Sequence, residues 1–103
     1  GELKEYEEQE NILKDILKDS NQVDVRAKAF LEMGILKYNN KEYKEALTNI
    51  ENVLSWRADD VEGLMVKGKA EYMLGNKKVA KRAFRKVLKQ KHDDKEALSW
   101  LKR

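Results

Sequence analysis

The sequence predicts an all-α fold: an α-solenoid of antiparallel helix pairs with capping helices at its flanks. Three observations lead there. The chain restates itself at a fixed interval, so that Asp59-Asp60-Val61-Glu62-Gly63-Leu64 returns as Asp93-Asp94-Lys95-Glu96-Ala97-Leu98. It holds no proline and only five glycines in 103 residues, so little interrupts a helix. Its apolar residues recur at spacings of three and four, the rhythm of a helix with one buried face.

Shifting the chain by the interval from Asp59 to Asp93 sets Ala29 on Gly63 and Ala97, and Phe30 on Leu64 and Leu98. Gly34 then meets Gly68, Tyr38 meets Tyr72, Ala46 meets Ala80, and Val53-Leu54 meets Val87-Leu88. A period of this length marks stacked structural units. Residues 1–26 are expected to form an N-terminal capping helix and linker. Its helix, over 2–19, carries Leu3, Tyr6, Leu13, Ile16 and Leu17 on one side. Its acids (Glu2, Glu5, Glu7, Glu8, Glu10) come early and Lys14 and Lys18 late, an order that suits the helix dipole. Ser20-Asn21-Gln22 reads as the link and Asp24 as the next N-cap.

The first unit is 27–60. Phe30, Met33, Gly34 and Lys37 share a face of its leading helix, Asn39-Asn40 marks the turn, and Ala46, Ile50, Val53 and Leu54 line the second helix. The second unit, 61–94, repeats this with Leu64 and Gly68, a Gly75-Asn76 turn, then Ala80, Phe84, Val87 and Leu88. Asp60 and Asp94 are expected N-caps, because a short carboxylate accepts from the free amides of a first turn. Gly34/Gly68 and Ala46/Ala80 would let paired helices approach closely. Residues 95–103 form a C-terminal capping helix or a truncated third unit, with Leu98 and Leu101 placed to pack inward.

The period and the placement of glycine and alanine resemble the tetratricopeptide repeat, W-x2-L-G-x2-Y…A-x3-F…P over ~34 residues. The first unit reads Phe30-x2-Met33-Gly34, then Tyr43-Lys44-Glu45-Ala46-x3-Ile50; the second reads Leu64-x2-Lys67-Gly68, then Ala80-x3-Phe84. Ala58 and His92 stand at the closing proline, and the tyrosine is displaced by one, to Tyr38 and Tyr72. The resemblance implies a right-handed superhelix with a concave face that binds another protein. Some members of that family grip the carboxylate end of chaperone tails with basic and asparagine side chains. The matching positions here, Leu31, Ile35, Val66, Glu96 and Trp100, assemble no such grip.

Charge is unevenly spread. Residues 1–60 hold 9 Lys/Arg against 14 Asp/Glu, and residues 61–103 hold 13 against 5, which yields the net +3. Cysteine is absent, so disulfide and thiolate chemistry are excluded. No apolar run approaches the ~20 residues a bilayer span needs. The acidic, polar N-terminus is unlike a signal peptide. A complete chain of this kind is expected in the cytoplasm; opening on Gly1, it reads equally as a piece of a longer protein.

Little in the sequence could do chemistry. His92, the single histidine, lies in a Lys-His-Asp-Asp stretch with no second histidine or cysteine to complete a metal set. No serine has a base at a recognisable spacing, and no glycine-rich phosphate loop is present. The chain is expected to be no enzyme and to need no cofactor or metal.

Two surfaces remain. On the leading helices, Leu31, Ile35 and Tyr38 follow i, i+4, i+7 spacing, as do Met65, Lys69 and Tyr72, and Asn39 and Met73 extend the rows. This face differs from the one bearing Phe30, Met33 and Gly34, so the first leading helix is apolar on two sides. Such a groove suits a partner helix or peptide, with Lys28, Glu62 and Lys69 orienting it. Alternatively, the chain's own helix 2–19 covers these residues. The second surface is the helix near 77–91, whose basic face includes Lys78, Arg82, Arg85 and Lys89 and has no acid beside them. A solvated outer face is the simpler account of it; the alternative is a weak electrostatic binder of nucleic acid or anionic membrane. No aromatic side chains interleave with the charges, so nucleic acid is disfavoured, as is a membrane. The acidic front and basic back also allow head-to-tail homo-oligomers.

Overall fold

The computed structural model describes residues Gly1–Arg103. It contains six helices and no strand: α1 (Glu2–Asp19), α2 (Val23–Asn39), α3 (Tyr43–Trp56), α4 (Val61–Met73), α5 (Lys77–Gln90) and α6 (Lys95–Leu101). Each helix packs on the next, and α2 also meets α4. The whole measures 38 × 31 × 21 Å. No helix is long and apolar enough to cross a membrane.

Two carboxylates start two of the helices. Asp60 accepts from the Gly63 N–H at 2.8 Å, and Asp94 accepts from the Ala97 N–H at 2.9 Å. Each meets one of the four amides that a helix start leaves without a partner. Asp24 does not act as a cap. The helix begins two residues earlier than such a cap requires, at Val23, behind Gln22 and without a side-chain cap. Asp24 sits in the first turn, where it pairs with Arg57 of the α3–α4 connection at 2.8 Å.

The recurrence seen in the sequence is written in the backbone. Where α2 ends, Asn40, Lys41 and Glu42 donate to the carbonyls of Leu36, Tyr38 and Lys37. Where α4 ends, Leu74, Gly75 and Asn76 donate to Ala70, Tyr72 and Glu71, each bond displaced by the interval that carries Asp59 to Asp93. The bond reaching back five residues closes a helix around one left-handed residue. That residue is Gly75 (φ 90) after α4 and Lys41 (φ 62) after α2. The first turn therefore pivots on Lys41, and α2 runs on through Asn39. The later connections match too: Arg57 and Lys91 donate to Val53 and Val87, and Asp60 and Asp94 donate to Arg57 and Lys91.

Packing follows the same spacing. A methyl carbon placed on Gly34 would stand 2.5 Å from Cδ1 of Ile50, and one on Gly68 would stand 2.5 Å from Cε1 of Phe84. The missing side chain is what lets α2 lie on α3 and α4 on α5. Ala46 and Ala80 are fully buried. The larger core cluster joins α4, α5 and α6 through Leu64, Met65, Ala80, Phe84, Val87, Ala97 and Trp100. A smaller one joins α1 to α2 through Leu13, Ala29 and Met33, flanked by Ile16, Leu17 and Leu36.

At the two ends, the inward residues differ from expectation. In α6, Ala97 and Trp100 are buried while Leu98 is 39% exposed. Trp100 stacks on Phe84 and takes the place against the core, and Leu101 adds to it from the margin. In α1, Leu3 is 72% exposed, because it lies before the stretch where Leu13, Ile16 and Leu17 meet α2.

Candidate functional site

Lys37 lies on the packing face of α2 and is 7% exposed. Its ammonium pairs with Glu10 of α1, with Glu45 of α3 at 3.1 Å and with Glu42 at 3.7 Å. It also sits over the Tyr6 ring, 5.4 Å from the centroid, and the Tyr6 hydroxyl donates to Glu42. Burial opposes the lysine's charge. Hydrogen bonds with Glu10, Tyr6 and Glu45 outweigh that opposition and raise its pKa above the ordinary lysine range. Burial also raises the Tyr6 phenol, helped by its bond to Glu42, and that bond in turn lowers the Glu42 carboxyl. At the other end of α1, the Arg26 guanidinium donates to the carbonyls of Leu17 and Ser20. Polar contacts thus fasten α1 at both ends, with Leu13 its one buried side chain between them.

The expected groove residues divide into two groups. Met65 does not line a groove: at 7% exposure it belongs to the core, covered by Ala97 and Trp100 of α6. Tyr72 is half-buried, edge-on to Trp100 at 5.2 Å, with the Lys77 ammonium 5.4 Å from its ring. Lys69 is engaged twice, 3.3 Å from Glu96 and 5.2 Å from the centroid of Tyr38. Tyr38 also meets Tyr43 at 5.5 Å, and burial, with Tyr43 and Glu96 nearby, pushes its phenol up against the opposing effect of Arg103. This half is a closed row of rings and cations beneath α6.

The other half is open. Lys28, Ile35 and Asn39 each line a hollow on the seam between α1 and α2. The hollow at Ile35 is about 310 Å³ and is completed by Gln9, Ile12, Leu13, Glu32 and Leu36. Beside it, a space of about 720 Å³ runs past Ile12, Asp15, Ile16 and Asp19 toward Val25. α1 packs on the row Ala29, Met33 and Leu36, adjacent to the row of Leu31, Ile35 and Tyr38. Leu31 is half-buried, and Glu62 and Met73 are exposed at opposite ends of α4. Sequence reasoning missed Ile12, which is 60% exposed and belongs to no single-sided apolar row of α1. The signal was its i+4 partner Ile16, which lines the next hollow with it.

Lys78, Arg82, Arg85 and Lys89 are all exposed on α5, and none forms an ion pair. His92 is exposed in the turn before α6. No three metal-ligating side chains converge anywhere in the chain. No protein-family model, curated protein or solved structure matches the chain.

Proposed function

We propose that this chain is a non-catalytic interaction module of tetratricopeptide-repeat type. In this reading it is a short right-handed solenoid of antiparallel helix pairs that binds a partner helix or peptide on the inner side of α2. Support for the repeat comes from the turn hydrogen bonds and glycine contacts, which recur at the interval of the sequence repeat. Support for binding comes chiefly from one observation. α1 packs beside the second apolar row of α2, so Ile35 lines an open hollow with Ile12 and Leu13. Apolar surface left open between two helices gains stability when a partner's side chains fill it.

Selection of peptides from a displayed random library on the folded chain tests this reading. Binders should be recovered whose affinity drops about tenfold in a Leu31→Gln/Ile35→Gln variant of unchanged helicity, as expected for polar groups set at a buried contact. A panel of binders indifferent to both substitutions would refute it.

A second reading, head-to-tail self-association, is favoured by the unpaired cations of α5 and the unpaired acids Glu2, Glu5, Asp15 and Asp19 of α1. It requires a sedimentation mass that falls toward the monomer as salt screens exposed charges.

A further inference from the structure

We propose that the α1–α2 seam is the docking groove for a cationic amphipathic helix. The proposal rests on the interaction-module reading and names the partner's chemistry and the surface it uses. Four hollows lie along the seam and share lining residues. Ile12 belongs to two of them, Gln9 and Leu36 to a neighbouring pair, and Ile16 and Val25 to another. They therefore follow one another along the seam, from Glu2 at one end of α1 to Asp19 at the other. A helix of this length, 18 residues, spans about 27 Å at 1.5 Å per residue, room for a partner helix of similar length.

The floor of the groove is apolar and partly open to water. Ile12 and Val25 are 60% and 39% exposed, and Ile16 and Ile35 are half-buried beside them. A run of branched apolar side chains along one seam matches the i, i+3, i+4, i+7 stripe of an amphipathic helix. The rim decides the sign of the partner. Glu2, Glu5, Asp15, Asp19 and Glu32 line the hollows, and Lys28 is the one cation among the lining residues. None of these five carboxylates is held in an ion pair within the chain. The α1 lysine that pairs with an acid, Lys14, does so with Glu10, which is turned to Lys37 and away from the groove. A partner whose apolar stripe is flanked by lysine or arginine would meet unpartnered carboxylates on both walls. One with acidic flanks would meet repulsion along its whole length. The chain's own basic helix is excluded as that stripe, because the apolar side of α5 (Ala80, Ala83, Phe84, Val87) is consumed by its own core.

The test uses the full chain and two synthetic helices matched in length to α1 and identical in leucine pattern, one with lysine and one with glutamate at every polar position. Fluorescence anisotropy at low salt should show the lysine peptide binding and the glutamate peptide not. Asp15→Lys/Glu32→Lys, both exposed positions, should weaken the lysine peptide about tenfold, and Ile12→Gln by a similar factor. High salt should weaken it as well. Equal binding of both peptides, or a lysine-peptide affinity unchanged by the charge reversal, overturns the proposal. If Leu31→Gln/Ile35→Gln abolishes binding of library-selected peptides while Asp15→Lys/Glu32→Lys leaves them untouched, the general reading survives and the cationic partner falls. If the free chain sediments as a dimer that the charge reversal dissociates, the groove's occupant is a second copy and the proposal is likewise overturned.

Discussion

Lys37 and Glu71 hold matching places in the two helix pairs, one repeat apart, and live in different surroundings. Lys37 is buried among three carboxylates and a phenol, whereas Glu71 is half-buried and accepts one hydrogen bond from Asn76. The pair α2–α3 is closed by α1, which packs on α2 through that polar cluster and the small contact around Leu13. The pair α4–α5 is closed by α6, through Trp100 stacked on Phe84 and edge-on to Tyr72. One backbone plan is thus finished in two ways. Rings give a dry seal, while a lysine among acids gives an attachment whose strength depends on proton binding and leaves a groove beside it.

The largest effects should expose the dry seal. Phe84→Ala is expected to cost about 4 kcal/mol and Ile50→Ala, its counterpart under Gly34, about 3 kcal/mol, in line with ring and aliphatic truncations in packed cores. Urea unfolding would measure both. The Phe84 variant should also release α6, seen as a loss of protection of the Trp100 indole from quencher. Equal costs with Trp100 still shielded would show that α6 does not depend on that ring stack.

The polar closure is the next test. Lys37→Ala is expected to cost about 2 kcal/mol, below the range for a fully buried pair because water reaches Glu42 and Glu45. Glu71→Ala should stay within about 0.5 kcal/mol. The pH dependence has a definite sign. Lys37 and Tyr6 have folded pKa values raised above their ordinary 10.5 and 10.0. Their stabilisation is therefore complete below about pH 10 and is lost as the pH climbs through the folded values. Glu42 is lowered from 4.5, so its share is complete above that and is lost as the pH falls through its folded value. Melting temperature against pH should fall less steeply above about pH 10 in Lys37→Ala/Tyr6→Phe than in the wild type. Parallel curves would remove the cluster from the account.

The two glycines separate the pairs more finely. A methyl on Gly68 meets three atoms of the rigid Phe84 ring within 2.9 Å, whereas one on Gly34 meets two atoms of a single Ile50 branch, Cδ1 at 2.5 Å and Cγ1 at 2.8 Å. Gly68→Ala should cost about 1–2 kcal/mol by overpacking. Gly34→Ala should cost less, about 0.5–1 kcal/mol, since overpacking against one branch of the buried Ile50 is partly offset by alanine's helix preference of about 1 kcal/mol over glycine.

How much of this was legible beforehand depended on the range of the interaction. The helices, the Asp60 and Asp94 caps and the Gly34 and Gly68 contacts are local or recur at a fixed spacing, so the sequence displayed them directly. Lys37 could be placed on the packing face, but its partners could not, because Glu10 and Tyr6 arrive from a helix outside the repeating pattern. The groove was legible as an apolar row on α2. Its division was not, since that turns on how far α6 reaches over Met65 and on α1 settling one row aside. Ile12 escaped because, with only Ile16 as its i+4 partner on an acidic helix, it reads as a solvated side chain until α2 is set against it.

The two turns should give small effects of opposite sign. Both turns need a left-handed residue, and the chain supplies Lys41 in one and Gly75 in the other. A side chain in that conformation costs about 1–2 kcal/mol, which glycine avoids. Glycine in turn widens the unfolded ensemble, which takes back part of that gain. Lys41→Gly should therefore stabilise α2–α3 by about 0.5–1 kcal/mol, and Gly75→Ala should destabilise α4–α5 by about 1 kcal/mol. Nothing lies within 4 Å of a methyl on Gly75, so no packing contact obscures the backbone cost. Exchanging the two residues, Lys41→Gly with Gly75→Lys, should nearly restore the starting stability if the turns are equivalent. A net loss above about 1 kcal/mol would mean that Lys41 does something in its turn that Gly75 does not, and that the two pairs differ in their connections as well as in their closures.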